Sequence, residues 1–177
     1  MHKSEKATVV FLRDREGRIC LARKKQHIHK KDGEALSKSR DTWNGYGGKF
    51  ETPDKTVFDT ALRELFDEAG VVARPEDLKL VGRVGFFWKG NGSAIPDMDV
   101  CFFFLDCYDG EPTETDEMNV PCFFPVLEIP YNDMMPGDQL FLPHIFRGHT
   151  PVGKVYFDGD GKARFVEEEG VTPIPWE

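Results

Sequence analysis

Three acidic side chains stand at a spacing suited to metal-assisted chemistry: Glu64, Asp67 and Glu68, at i, i+3 and i+4. On a helix, at about 100° per residue, these positions gather on one side. Held about 5 Å apart in an effective dielectric near 20, each pair of carboxylates repels by roughly 3 kcal/mol. Water and salt offset that repulsion on an open surface; in a cleft, hard cations do. Gly47, Gly48 and Lys49 stand just upstream, and glycine lets backbone groups approach a metal–phosphate complex closely. Mg²⁺ takes oxygen ligands at about 2.0–2.1 Å and keeps several waters, so carboxylates plus substrate phosphates suit it. Mn²⁺ shares the preference for oxygen, and no His or Cys is placed to favour zinc.

Such a cluster needs a helix to present it and strands to support the helix. Residues 56–69 have helical periodicity and stop before Gly70, a C-cap signal. Phe58, Ala61, Leu62, Leu65, Phe66 and Ala69 share a broad apolar face, which sets Glu64, Asp67 and Glu68 on the opposite side. Residues 7–12 and 19–22 read as strands joined by a tight turn. Residues 24–41 form a polar, largely basic loop. Residues 78–88, 97–108 and 121–129 read as further strands, 134–146 as a short helix or irregular turn, and 155–157 with 163–166 as a hairpin. One mixed sheet with helices packed on it is the simplest architecture.

The segment from Gly48 through Arg63-Glu64-Leu65, Glu68 and Gly70-Val71 resembles the Nudix box, G-x5-E-x7-R-E-U-x-E-E-x-G-U with U aliphatic, Asp67 replacing a Glu. Counting back from Arg63, the first Glu of that pattern falls on Lys55. Asp54 stands just before it and takes the acid's place through a local bulge. Beyond the box, Trp43-Asn44-Gly45-Tyr46-Gly47-Gly48-Lys49, Met98-Asp99-Val100, Glu114-Thr115-Asp116-Glu117-Met118 and the run from Ile129 to Asp138 resemble one branch of the family. That branch is the oxidised purine nucleoside triphosphatases, or 8-oxo-dGTP diphosphatases.

The resemblance implies an α+β fold, the Nudix α/β/α sandwich with a central mixed β-sheet. It implies Mg²⁺-dependent cleavage of purine nucleoside triphosphates such as 8-oxo-dGTP to a monophosphate and pyrophosphate. It implies Glu64, Glu68 and Glu117 as metal ligands, assisted by Asp67 and the Gly47 carbonyl, with Glu68 or Glu117 as general base. Arg63 would brace the loop by pairing with an acid. Thr8, Asn44, Phe86, Trp88 and Met98 would line the base pocket, with Lys24 from the basic loop drawing in the triphosphate. Met135 stands where the branch has a stacking Trp, and Gly137-Asp138 where it has two neighbouring Asp residues, which bears on base preference. Two alternatives remain open: hydrolysis of another nucleotide, such as a nucleotide sugar or an unmodified triphosphate, and a nucleotide-binding module without turnover.

Composition agrees with a small-molecule enzyme. The chain has 177 residues, 40% hydrophobic, with 15 Phe, enough for one domain over residues 1–177. Its formal net charge of −8 argues against a nucleic-acid partner. The longest apolar run, 100–105, is far too short to span a bilayer, and the N-terminal residues lack a signal-peptide core. Cys20, Cys101, Cys107 and Cys122 form no CxxC pair, and buried thiols are expected. These features predict a cytoplasmic monomer or weak homodimer.

Overall fold

A computed structural model describes residues 3–25, 30–31, 34–35, 41–88, 94–158, 160 and 162–176. Strand β1 (Glu5–Leu12) shows why the sheet must be covered on both sides. Its run Ala-Thr-Val-Val-Phe-Leu sends Val9 and Phe11 to one face, and Thr8, Val10 and Leu12 to the other. Each face meets its own layer.

The other strands are β2 (Ile19–Arg23), β3 (Lys30–Lys31), β4 (Glu34–Ala35), β5 (Trp43–Asn44), β6 (Leu78–Phe87), β7 (Met98–Leu105), β8 (Cys122–Phe124), β9 (Val152–Phe157) and β10 (Ala163–Glu167). The main sheet has the order β1-β7-β6-β9-β10. It is mixed: β1 runs parallel to β7 and β6 parallel to β9, while β6–β7 and β9–β10 are antiparallel. A second sheet, β5-β2-β8, carries the segments flanking the polar loop, and β3 pairs antiparallel with β4. Helix α1 (Val57–Ala69) covers the face bearing Val10, Leu12, Cys101 and Phe103. Helix α2 (Asp138–Phe146) covers the face bearing Phe11, Val84 and Phe102. The layering is the α/β/α sandwich expected.

Helix α1 is defined at both ends by side chains. The Thr56 hydroxyl accepts from Asp59 N–H, and the Asp59 carboxylate accepts from Thr56 N–H, a reciprocal capping box. At the other end Gly70 sits at φ 69°, where its N–H donates to the Phe66 carbonyl.

The helix is rotated from the orientation its sequence suggests. Val57, Thr60, Ala61, Leu65, Glu68 and Ala69 form the buried face, whereas Phe66 is 58% exposed and Asp67 faces solvent. Glu68 therefore lies inward rather than opposite the apolar face. Phe66, apolar but outside the buried stripe, shifts the centre of the sequence pattern away from Glu68.

Two further expectations change. Residues 121–129 hold only the short β8, and then turn through a 3₁₀ segment at Val126–Glu128 after Pro125. Cys20 and Cys101 are buried thiols, but Cys107 and Cys122 are exposed, because Cys107 follows the end of β7 and Cys122 opens the edge strand β8. Among the described residues no helix is long and apolar enough to cross a membrane.

Candidate active site

The glycine loop meets α1 through backbone groups. Thr8 N–H donates to the Gly48 carbonyl (2.9 Å), and Tyr46 exchanges two hydrogen bonds with Val10. A Cβ on Gly47 would lie 1.9 Å from the Thr8 carbonyl oxygen, so no other residue fits there. This close seating aims the Gly47 N–H at α1, where it donates to Glu68 Oε2 at 2.7 Å. The other Glu68 oxygen accepts from Lys24 Nζ at 3.3 Å. With 1% exposure, Glu68 is poorly solvated, and burial pushes its carboxyl up to about 7 against the opposing pull of Lys24 and Gly47.

Glu64 lies one turn back on the same side. Burial raises its carboxyl as well, and the Arg63 guanidinium opposes the rise. Arg63 Nη1 donates to Glu64 Oε1 at 2.7 Å. A Cβ on Gly48 would stand 2.5 Å from Glu64 Oε1, so the second glycine keeps clear the space over this carboxylate.

Arg63 is spread across the loop. Its Nε and Nη2 donate to the two Asp54 oxygens at 3.0 and 2.8 Å, and Nη2 also donates to the Lys49 carbonyl. Asp54 in turn accepts from Thr60 Oγ1 and from Glu51 N–H. The Arg63 guanidinium holds the Asp54 carboxyl down at about 2. Asp54, rather than Lys55, is the acid that Arg63 grips. A depressed carboxyl contributes stability above its unfolded pKa, and that contribution disappears as pH falls from 3.8 toward 2. Asp54→Asn should therefore lose about 2 kcal/mol at pH 7 and show a shallower acid limb. Denaturant titrations at pH 7 and pH 3 check this; equal losses at both would rule out an ionic role.

Asp67 and Glu117 are not drawn into this cluster by hydrogen bonds. Asp67 is exposed. Glu117 is exposed too, but its carbonyl accepts from Lys25 N–H (2.7 Å), and its charge is near enough to raise Glu64. Among the described residues no three His, Cys, Asp or Glu side chains come together closely enough to hold a metal ion unaided.

Beside the cluster opens a cavity of about 210 Å³. Lys24, Gly47 and Glu68 line it, and so do Asn44, Phe86, Trp88, Met98, Met135 and Asp138. The Asn44 amide nitrogen donates to the Thr42 carbonyl and hydroxyl at 2.8 and 3.0 Å, fixing the side chain and leaving Oδ1 as an acceptor. Trp88 is stacked between Phe86 (5.8 Å) and Phe157 (6.1 Å). Asp138, at the start of α2, is pushed up to about 7 by burial.

A model of the NUDIX domain matches residues 3–145. The chain belongs to the Nudix family. Among relatives, this Nudix chain is 33% identical over 143 residues to the oxidized purine nucleoside triphosphate hydrolase of Danio rerio, covering 81% of each chain. It is 38% identical over 101 residues to the Mus musculus protein of the same name, covering 57% of this chain and 60% of that one. In fold it is similar to a MutT protein from Bacillus halodurans, with a TM-score of 0.70 at 16% identity, over 94% of this chain and 99% of that one.

Within the Nudix fold, two pocket expectations are corrected. Thr8 does not line the cavity: strand alternation turns it to the α1 face, fully buried, and Val9 takes the wall position. Gly137 is not an open site for a second acid. It sits at φ 99°, and its Cβ would meet Val155 and Phe157 at 3.1 and 3.3 Å. An Asp there would be strained and aimed at β9.

The basic loop also divides. Arg23 is tied to Asp41 and Asp133, and Lys25 to Glu114 and the Thr115 carbonyl. Of these three neighbours Lys24 lines the cavity. Lys38 and Arg40 lie outside the described residues, as does most of the stretch between them and Lys25. Sequence reading missed Val9, Phe11, Met118, Met134 and Phe157 on the cavity wall. The period-2 pattern of β1 carried the signal for Val9 and Phe11. Phe157 comes from a distant hairpin, and nothing local marks it.

Proposed function

We propose that this Nudix hydrolase cleaves purine nucleoside triphosphates, oxidised ones such as 8-oxo-dGTP among them, to a nucleoside monophosphate and pyrophosphate, as a nucleotide-pool sanitising enzyme. The observation that carries the reading is that one cavity is lined both by the helix carboxylate Glu68 and by the candidate base-reading groups Asn44 and Asp138. The names of the relatives in zebrafish and mouse support the substrate class.

The residues fit a hard divalent cation. Glu64 and Glu68 offer oxygen donors, Gly48 keeps the space over Glu64 open, and the Glu64 charge adds to the rise that burial causes at Glu68. Glu64, Glu68 and Glu117 would hold Mg²⁺ or Mn²⁺, with phosphate oxygens and water completing the shell. When bound, the ion supplies charge neutralisation at the phosphates and the leaving pyrophosphate. Asp67, turned to solvent, is left out of this set.

Each protein group then has a part. Lys24 Nζ, beside Glu68, meets the phosphate chain. Glu68, the helix carboxylate that lines the cavity, takes the proton of the attacking water. Arg63 touches no substrate; with Asp54 and Lys49 it fixes the loop. Phe86, Trp88 and the methionines enclose the base, Asn44 Oδ1 accepts an N–H from its edge, and Asp138 reads a second edge position.

Asp138 gives a pH prediction. Its ordinary carboxyl value is 3.8 and burial lifts it to about 7. Within that window the folded protein keeps a proton that the unfolded chain has released, so stability falls as pH rises from 3.8 to 7. Asp138→Asn should flatten that slope and remove an inflection near pH 7 in the KM for purine triphosphates. Melting curves and KM at pH 5.5 and 8 measure both, and parallel profiles for the two proteins would count against the assignment.

The reading as a whole is tested by a competition panel. Normal, oxidised and methylated purine triphosphates and nucleotide sugars are offered together with Mg²⁺. Preferential loss of the oxidised triphosphates is expected; exclusive loss of nucleotide sugars would refute the substrate class.

A further inference from the structure

Past residue 145, where the match to the Nudix model ends, the chain returns to the face that holds α1. Arg83 Nη1 donates to the Ile174 carbonyl at 3.0 Å. Trp176 is 5% exposed and packs in the cluster that contains Val57, Ala61 and Phe103. Its ring meets Phe50 edge-on at 5.4 Å, and Lys6 Nζ sits 4.9 Å from its centre.

Phe50 matters because of what precedes it. Gly47 and Gly48 give the loop no side chains with which to anchor itself. It is held instead through its backbone on β1: by Tyr46, which is fully buried, by the Gly48 carbonyl, which accepts from Thr8 N–H, and by Phe50, whose N–H donates to the Lys6 carbonyl. Between these anchors the Gly47 N–H holds Glu68 and the Lys49 carbonyl receives Arg63. Phe50 itself is 38% exposed, and Trp176 is the aromatic ring packed against it.

We infer that Trp176 is a positioning residue: by packing on Phe50 it clamps the downstream end of the glycine loop and so fixes the Gly47 N–H on Glu68. The inference rests on the reading of Glu68 as part of the hydrolytic site. The clamp acts through ring packing alone, because Trp176 Nε1 is buried with no hydrogen-bond partner. Phenylalanine should therefore serve in its place.

The test uses the full chain without metal or substrate and follows amide hydrogen exchange by NMR. Trp176→Ala should speed exchange at Gly47 and Phe50 about tenfold or more, while Val84 and Val100 in the central strands keep their rates. Trp176→Phe should restore the original rates. With Mg²⁺ and substrate present, Trp176→Ala should lower kcat about fivefold or more with KM within about twofold, and Trp176→Phe should recover it. Exchange that rises equally at Val84 and Val100, or stays unchanged at Gly47, overturns the clamp. Should Trp176→Ala not fold, Phe50→Ala removes the other half of the contact from a partly exposed position, and the same local exchange is required of it. The exchange readout needs no turnover, so an inactive wild-type enzyme would sink the proposed hydrolysis without touching the clamp.

Discussion

Glu68→Gln is expected to lower turnover by about 10²-fold or more while the melting temperature of the metal-free protein holds or rises. Glutamine keeps the shape and can still accept from the Gly47 N–H, but it carries no charge. An ionised Glu68 is poorly solvated, which is why its carboxyl stands near 7 rather than 4.5. Removing that charge removes the burial penalty and, with it, the group that would bind a cation or take a proton. A residue kept for structure would show the reverse, losing stability with near-normal turnover. Measuring kcat and the melting temperature on the same preparation separates the two, because function and stability should move in opposite directions.

The second large effect is expected from one methyl group. Gly48→Ala would put a Cβ 2.5 Å from Glu64 Oε1. The carboxylate is the far end of a flexible side chain, so the fold survives by letting it swing away. Arg63 pins that same oxygen at 2.7 Å, so the swing breaks a charged contact and carries Glu64 out of register with Glu68. A displacement of about 1 Å at a reacting centre can cost about 10²-fold, and a loss of that order in kcat is expected, with a stability change of about 1–2 kcal/mol. Unimpaired turnover in Gly48→Ala would mean that Glu64 acts from another position, or not at all.

The ease with which α1 is read from sequence has a local cause. Its cap, its period and its terminal glycine all lie within the residues 56–70, so the information needed is contiguous. The exchange of Lys55 for Asp54 as the partner of Arg63 could also be foreseen, because an acid one position away can be reached by a small bulge. What could not be read is which way elements face once packed. With Phe66 counted, the apolar pattern points Glu68 outward, whereas the folded chain buries Glu68 and leaves Phe66 exposed. Thr8 failed for a related reason: neighbouring strand residues point to opposite faces, so being one position off exchanges core for cavity.

Other parts of the site depend on contacts far apart in sequence. Phe157 reaches Trp88 across the sheet, and Trp176 reaches Phe50 from more than a hundred residues away. No periodicity encodes such pairs. Gly137 is instructive in a different way. Next to Asp138 it looks like a lost acid, but its φ of 99° shows that it starts α2 in a conformation an Asp would rarely adopt. The proposed base pocket therefore departs from the branch pattern, with no second acid beside Asp138 and with Met98, Met134 and Met135 on its wall.

The most direct measurement is ³¹P NMR of 8-oxo-dGTP mixed with the protein, first in chelator and then after adding Mg²⁺. Silence in chelator is expected, followed on adding Mg²⁺ by equal growth of a nucleoside monophosphate and pyrophosphate, with both absent in Glu68→Gln. Orthophosphate with a nucleoside diphosphate, turnover that persists in chelator, or no turnover under either condition would contradict it.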